Sequence, residues 1–208
     1  MCPRPYRMGK RQAARSETRS RILEAARQLL ATESTADLSM DAVARKADVS
    51  RLTIYYQFSS RAGLLEALYD HLAQRGNMQQ MVEVFQESDS SSAIEKMVRT
   101  FVGFWASDPH VMRRLRAMAA LDPEIAQGIR SRDARRPRIA LEILKRAPTG
   151  HAKLSAAKQR AAADLLGMLT SFETYDALAR AGQTDAQVVA SLIRLARCAI
   201  LHGAGEHD

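Results

Sequence analysis

The amino-acid sequence predicts an all-α protein in which a small N-terminal domain precedes a larger C-terminal one. Ala, Leu, Arg and Met are abundant, whereas Gly, Pro and the β-branched and aromatic residues are sparse. Such a composition favours helix almost throughout. Apolar residues also recur at helical spacing along most of the chain, and its 208 residues are enough for two packed domains.

The first helix is predicted from about Ser16 to Thr32. Its apolar residues follow the i, i+3, i+4, i+7 spacing of an amphipathic helix at Ile22, Ala25, Ala26, Leu29 and Leu30. Residues 1–15, which are basic, are predicted to form a flexible N-terminal arm.

Two short helices joined by a very short link are predicted next. Ser39 is a good N-cap for the first of them, which stops near Ala47. Ser50 can cap the second, which runs through Tyr56. This arrangement predicts a helix-turn-helix motif in residues 16–62, here called the head.

A connecting helix over residues 63–85, begun by a serine cap, is predicted to join the head to residues 86–208, here called the body. Pro137 should kink or break the body helix that contains it, because proline lacks a backbone N–H. Pro, Gly and capping residues place the helices of the body at roughly 92–106, 109–120, 123–146, 153–181 and 184–202.

The third predicted helix has a buried side and an exposed side. At about 100° per residue, Ile54 and Phe58 lie on one side and can pack on the second helix. Tyr56 falls opposite them, and Tyr55 lies at the edge. The exposed side also carries Leu52, Thr53 and Gln57. An aliphatic group, a hydroxyl, a phenol and an amide are what a major-groove reader needs.

Polar residues at three helix starts are predicted to hold the DNA backbone. Arg51 can reach a base or a phosphate, and Ser39 and Arg61 can hold phosphates. The predicted DNA-binding set is Ser39, Arg51, Leu52, Thr53, Tyr55, Tyr56, Gln57 and Arg61.

The charge of the chain favours an anionic partner. The formal net charge is +8, and residues 1–75 carry +5 of it, with 13 Lys and Arg against 8 Asp and Glu. Nucleic acid and a membrane surface both remain possible. A basic protein that coats DNA without reading its sequence is one alternative to a specific reader.

Residues 20–68 resemble the N-terminal domain of the TetR (tetracycline-repressor) family of bacterial transcription regulators. The matching positions are Ala25, Ala26, Val43, Ala44, Val49, Ser50, Ile54, Tyr55, Phe58, Ser60, Arg61, Leu64 and Leu65. The chain departs from the family at Ser34, Asp48 and Leu52, where Gly is common, at Gln57, where His or Tyr is usual, and at Arg61, where Lys is common. The resemblance implies a dimeric repressor that a small-molecule ligand releases from a palindromic operator. It also implies phosphate contacts for Tyr55 and Arg61.

The last two predicted helices are apolar over a wider arc than a single buried stripe requires. A fully buried helix pair and a dimer interface explain this equally well, and the resemblance favours a homodimer. The predicted dimer residues are Leu165, Leu169, Val189, Leu192, Ile193, Ala196 and Ile200.

A group of large apolar residues in the body forms either plain core or a ligand cavity. The resemblance favours a cavity for a small-molecule effector. The predicted lining residues are Phe101, Phe104, Trp105, Met112, Met118, Phe172 and Tyr175.

An enzyme is the main alternative to a DNA-binding protein, but few features of the sequence favour it. No Gly-rich phosphate loop, HExxH motif or nucleophile elbow is present, and no cofactor is predicted. Cys198, His202 and His207 could be metal ligands, but their position near the end of the chain favours a frayed helix end over a metal site. No signal-peptide or membrane-spanning apolar run occurs, so we expect a cytoplasmic protein without a membrane partner.

Overall fold

The protein is helical throughout the residues that the structure, a computed structural model, describes. These are residues 6–32, 38–146 and 155–205, and no strand occurs within them. The helices are α1 Tyr6–Thr32, α2 Met40–Lys46, α3 Arg51–Phe58, α4 Arg61–Arg75, α5 Met81–Gln86, α6 Ser90–Ser107, α7 Pro109–Leu121, α8 Pro123–Asp133, α9 Arg135–Lys145, α10 Ala156–Leu169, α11 Phe172–Arg180 and α12 Asp185–Gly205. The all-α prediction is confirmed.

The head is built from α1, α2 and α3 around buried aliphatic residues. Ile22 and Leu30 of α1 pack with Val43 of α2 and Ile54 of α3, and each is at most 1% exposed. The first helix begins at Tyr6, ten residues before the predicted start. Much of the predicted flexible arm is therefore helical.

Serine hydroxyls begin the second, third and fourth helices as predicted. Ser39, Ser50 and Ser60 each accept a backbone N–H three positions ahead, at 3.1, 3.1 and 3.0 Å. Asp48, in the link between α2 and α3, has a φ of 50°, which lies in the left-handed region. Asp tolerates this region better than most residues, so the turn forms without glycine.

The predicted connecting helix over 63–85 is interrupted. Helix α4 ends at Arg75, and a 3-10 turn at Met78–Gln80 leads into α5. Gly76 lies so close to α6 that a Cβ there would be 2.6 Å from the Phe104 ring. This close approach holds the end of α4 against the body.

Two long body helices predicted from the sequence are each divided in the structure. The predicted helix 123–146 breaks at Ala134 into α8 and α9, because the Pro137 ring would clash with the carbonyl of Asp133 in a continuous helix. The predicted helix 153–181 breaks after Leu169, and the Ser171 hydroxyl caps α11. Pro137 was predicted to interrupt its helix, whereas the second break was missed.

The body packs α10 between α9 and α12, with α12 lying on α6. The Trp105 indole of α6 donates a hydrogen bond to the Thr170 carbonyl at 3.0 Å, which ties α6 to the break between α10 and α11. The head contacts the body where α1 packs on α7 and α4 packs on α6 and α8. No helix within the described residues is long and apolar enough to cross a membrane.

Candidate nucleic-acid interface and body cavity

Helix α3 presents an exposed ridge that rests on a buried base. Ile54 and Phe58 are 0% and 5% exposed, whereas Leu52 and Tyr56 are 77% and 75% exposed. Tyr55 is 38% exposed. The helix is therefore fixed through one side and offers the other to solvent, as its periodicity predicts.

Arg51 is held at the start of α3 by a carboxylate and a phenol. Its guanidinium lies 3.1 Å from the Asp41 carboxylate and donates to the Tyr55 hydroxyl at 3.3 Å. These contacts, the Tyr55 hydrogen bond first, raise the pKa of Arg51. More than half of the Arg51 side chain stays exposed, so it can still meet an incoming phosphate or base.

The other predicted polar residues of the head have local partners. The Thr53 hydroxyl lies 2.8 Å from the Ser50 hydroxyl, and the Ser39 hydroxyl caps α2. The backbone carbonyl of Gln57 accepts a hydrogen bond from the Arg19 guanidinium at 2.9 Å, and the Gln57 side chain is half-buried. Ser39 and Thr53 therefore serve the local fold as well as facing outward.

Arg61 does not lie free beside α3. Its guanidinium lies 2.7 Å from the carboxylate of Asp122, which caps α8 in the body. The backbone N–H of Ile125 and then the Arg61 hydrogen bond lower the pKa of Asp122. The predicted phosphate ligand is thus also a link between head and body.

Helix α1 adds a basic surface next to the ridge that the sequence reasoning missed. The Arg15 guanidinium lies 5.4 Å from the centre of the Tyr56 ring, and that of Arg19 lies 4.3 Å from the Phe58 ring. Gln12, Ser16 and these two arginines border a shallow hollow of about 310 Å³ against Gln57. The i, i+4 spacing of Arg15 and Arg19 on a helix could have revealed this face.

Known proteins that are similar in sequence to this chain are transcriptional regulators. Residues 22–68 match the family described as bacterial regulatory proteins, tetR family. The chain is 32% identical over 111 residues to the HTH-type transcriptional regulator AlkX of Mycobacterium tuberculosis, which is 52% of each chain. It is 33% identical over 94 residues to the regulator EthR of Mycolicibacterium smegmatis, covering 44% of this chain and 43% of the relative. Residues 22–68 are therefore a TetR-family N-terminal domain.

Solved structures agree over nearly the full length. A TetR-like transcriptional regulator from Rhodococcus sp. RHA1 superimposes with a TM-score of 0.67 at 18% identity, covering 99% of this chain and 100% of the other. A TetR transcription regulator from Haloarcula marismortui gives 0.63 at 14% identity, covering 90% and 98%. At these identities the likeness concerns the fold alone. The chain spans only about half the length of AlkX and EthR in the sequence matches.

Most of the predicted dimer residues lie inside the body. Leu192 and Ala196 are fully buried within the single chain, and Leu169, Ile193 and Ile200 are at most 8% exposed. Val189 is partly buried against the same core. These five buried residues pack α12 and α10 on their own neighbours and leave little surface for a partner, and their place in a dimer interface stays a prediction.

A different set of apolar residues on the same two helices is exposed. Leu165 and Met168 of α10 are 44% and 57% exposed, and Leu195 of α12 is 51% exposed. Only Leu165 belongs to the predicted set. The wide apolar arc in the sequence therefore divides into a core-facing stripe and an outer apolar strip.

The body contains a cavity of about 120 Å³ between α4, α6, α8 and α9. Phe101, Phe104 and Trp105, three of the residues predicted to bind a ligand, line it. The other four predicted residues are buried elsewhere and do not line it: Met112, Met118, Phe172 and Tyr175. They were assigned from residue type and spacing, which cannot separate a cavity wall from close-packed core.

Polar residues that the sequence reasoning did not select complete the cavity wall. Tyr69 of α4 and Arg136 of α9, both at most 7% exposed, line it together with Asp133. No sequence signal distinguishes the buried Arg136 from the many exposed arginines of this chain. Among the described residues no group of His, Cys, Asp and Glu could hold a metal ion, and Cys198 is an exposed free thiol. The side chains of His202 and His207 lie outside the described residues.

Proposed function

We propose that this TetR-family protein is a DNA-binding transcriptional regulator that acts as a homodimer. The observation that carries the proposal is the ridge of Leu52 and Tyr56, presented by a capped helix whose opposite side is fixed in the head core. A rigid helix with exposed aliphatic and phenolic groups suits base-edge reading in the major groove. Arg51, Arg15 and Arg19 surround it with positive charge for the phosphates.

Dimerisation would give two heads on a twofold axis. One short helix reads few base pairs, whereas two related heads read half-sites one helical turn or more apart. The exposed strip of Leu165, Met168 and Leu195 supports this, since an apolar strip on neighbouring helices suits a symmetric helix-packing interface. The operator is therefore expected to be palindromic.

Release by a small molecule is the second part of the proposal. The cavity lies beside α4, which begins at Arg61 in contact with the body and continues from the head. A ligand that binds better to an arrangement with the heads misplaced for DNA lowers operator affinity by its differential binding. The protein then acts as a repressor that its ligand removes from the operator.

Selection of bound duplexes from a random DNA library tests the proposal at near-physiological salt. An enriched inverted repeat is the expected result. The matched control carries Leu52→Ala and Tyr56→Ala, which leave the buried Ile54 and Phe58 in place and should abolish the enrichment. Tight binding without any enriched sequence would instead favour the non-specific basic protein, whose affinity depends on charge and salt alone.

A further inference from the structure

The hydroxyl of Tyr69 is buried and has no hydrogen-bond partner among the described residues. The residue is 7% exposed, on the side of α4 that faces the body. A buried donor without a partner is costly, so its persistence calls for an explanation. Burial raises the pKa of Tyr69 to about 12, so the phenol stays protonated and can donate a hydrogen bond.

The same residue lines the body cavity, whose inner wall is aromatic. The rings of Phe104 and Trp105 lie 4.4 Å apart, and Phe101 stacks on Trp105 at 6.3 Å. The cavity of about 120 Å³ is close in size to one that accepts a single benzene ring, which is about 150 Å³. A second cavity at Tyr69 is only about 20 Å³, room for one water at most.

The charges in the cavity wall already have partners. Asp133 accepts from Arg136 at 2.6 Å and from Arg116 at 2.9 Å. Arg132 binds Glu66 at 2.5 Å and Asp70 at 2.9 Å. A ligand charge buried here would lack a counterion and would lose its hydration.

Arginines also cover the aromatic faces that a cationic ligand would need. Arg116 and Arg136 lie 5.8 and 5.9 Å from the centre of the Trp105 ring, and Arg132 lies 5.1 Å from that of Tyr69. A second cation would meet these guanidinium groups at close range. Arg135 forms no ion pair within the described chain, but it is exposed, so water can solvate an anion beside it.

We propose that the cavity binds a small, neutral aromatic molecule with one oxygen acceptor. Its ring packs against Phe101, Phe104 and Trp105, and its oxygen accepts from the Tyr69 hydroxyl. This assignment rests on the proposed function in that it gives the chemical class of the releasing ligand. It assigns Tyr69 as the residue that selects for the oxygen.

The test uses the single tryptophan of the chain, Trp105, as a reporter in the cavity wall. The full-length protein is titrated with acetophenone, with ethylbenzene, which has the same ring and length without the acceptor, and with benzoate, which adds a charge. Saturable change in tryptophan fluorescence is expected with acetophenone at the lowest concentration. Ethylbenzene should bind about 2- to 10-fold more weakly, the ratio that one hydrogen bond supplies.

Tyr69→Phe removes the hydroxyl and keeps the ring. It should weaken acetophenone by the same about 2- to 10-fold, leave ethylbenzene unchanged and not lower the thermal midpoint, because no protein hydrogen bond is lost. The matched control is Tyr175→Phe, since the Tyr175 hydroxyl bonds Asp185 at 3.1 Å and does not line the cavity. This variant should bind all three compounds like the wild type.

Three results would overturn the inference: equal binding of acetophenone and ethylbenzene, preference for benzoate, or no saturable change with any of them. Equal binding of acetophenone to Tyr69→Phe and wild type would assign the hydroxyl to a bound water instead. Operator binding is measured on the same samples. A protein that binds its operator but none of these compounds keeps the proposed regulator and loses only this ligand class.

Discussion

The Arg61 guanidinium lies 2.7 Å from the Asp122 carboxylate, so the first residue of α4 in the head is joined to the N-cap of α8 in the body. Arg61 is the side chain that the sequence analysis assigns to a DNA phosphate. A phosphate approaching Arg61 would meet the negative charge of Asp122 beside it. Asp122 and a DNA phosphate therefore compete for Arg61, so the contact that orients the head also lowers its affinity for phosphate.

Asp122→Asn should tighten binding to every duplex, because it removes this competing charge and keeps an oxygen that can cap α8. The increase should not exceed about fivefold, since the pair is partly exposed and screened by salt. Affinities measured by fluorescence anisotropy at several salt concentrations test this. Glu142→Gln, which removes a body carboxylate far from the head contacts, is the control and should change nothing. Unchanged affinity in Asp122→Asn would mean that Arg61 does not meet phosphate.

Tyr56→Ala should weaken operator binding by ~1–3 kcal/mol if the phenol reads a base. Binding to unrelated duplexes should fall much less, and stability should stay within about 0.5 kcal/mol because the side chain is exposed. Tyr56→Phe separates the hydroxyl from the ring, including the ring face near Arg15. Equal loss on operator and random DNA in Tyr56→Ala would remove Tyr56 from the reading surface.

Local signals in the sequence predicted the head well, because its elements are set by caps and short-range periodicity. Serine caps and the spacing of Ile54 and Phe58 identified α2 and α3 and their exposed side. The body was less predictable, since an apolar residue on a long helix can face either the core or a partner. Leu192 and Leu195 are both leucines of α12, yet Leu192 is buried in the core and Leu195 is half exposed.

The residues that line the cavity were also difficult to predict from the sequence. Phe104 and Phe172 are both buried aromatics, yet only Phe104 borders the empty space. That space lies between α4, α6, α8 and α9, so it depends on how segments that are distant in sequence pack together. The unpartnered hydroxyl of Tyr69 likewise depends on its surroundings in three dimensions and has no sequence signature.

Leu195→Arg should disrupt the dimer, because it places a charge in the exposed strip that it shares with Leu165 and Met168. Sedimentation velocity should show monomer at concentrations where the wild type is dimeric, and affinity for the full palindrome should fall. Leu121→Arg is the matched control, since Leu121 is 90% exposed on α7. A Leu195→Arg protein that stays dimeric would place the interface elsewhere.

Acid should weaken the ion pair that Glu24 and Arg27 form within α1. The Arg27 hydrogen bond at 2.7 Å is the largest cause that lowers the pKa of Glu24 to about 2, from 4.5. Arg27 also binds Asp108 at 2.7 Å. Because the folded pKa is depressed, this stabilisation is present above about pH 4.5 and is lost as the pH falls towards 2.

Urea unfolding of the wild type and Glu24→Gln as a function of pH tests this. The wild type should have the larger unfolding free energy near neutral pH, and the difference should shrink as the pH falls below about 4.5. Glu142→Gln, whose exposed partner Lys145 is on the same helix, should show little difference at any pH. A wild-type advantage that is independent of pH would contradict a charge-dependent contribution of the Glu24–Arg27 pair.

Gly167→Ala should destabilise the body. A Cβ at Gly167 in α10 would lie 2.9 Å from Cδ and 3.1 Å from the backbone nitrogen of Pro137 in α9. The proline ring is rigid and its nitrogen is main chain, so the helices must move apart, at a cost of about 1–3 kcal/mol for overpacking. The higher helix propensity of Ala offsets about 1 kcal/mol of this.

Gly103→Ala is the matched control within the helices. Its Cβ would meet nothing within 4 Å, so only helix propensity should act and raise stability by about 1 kcal/mol. Both substitutions add the same methyl group inside a helix, so the difference between their unfolding free energies isolates the contact of α9 with α10. If thermal unfolding shows the two proteins equally stabilised, the close packing of Gly167 on Pro137 is wrong.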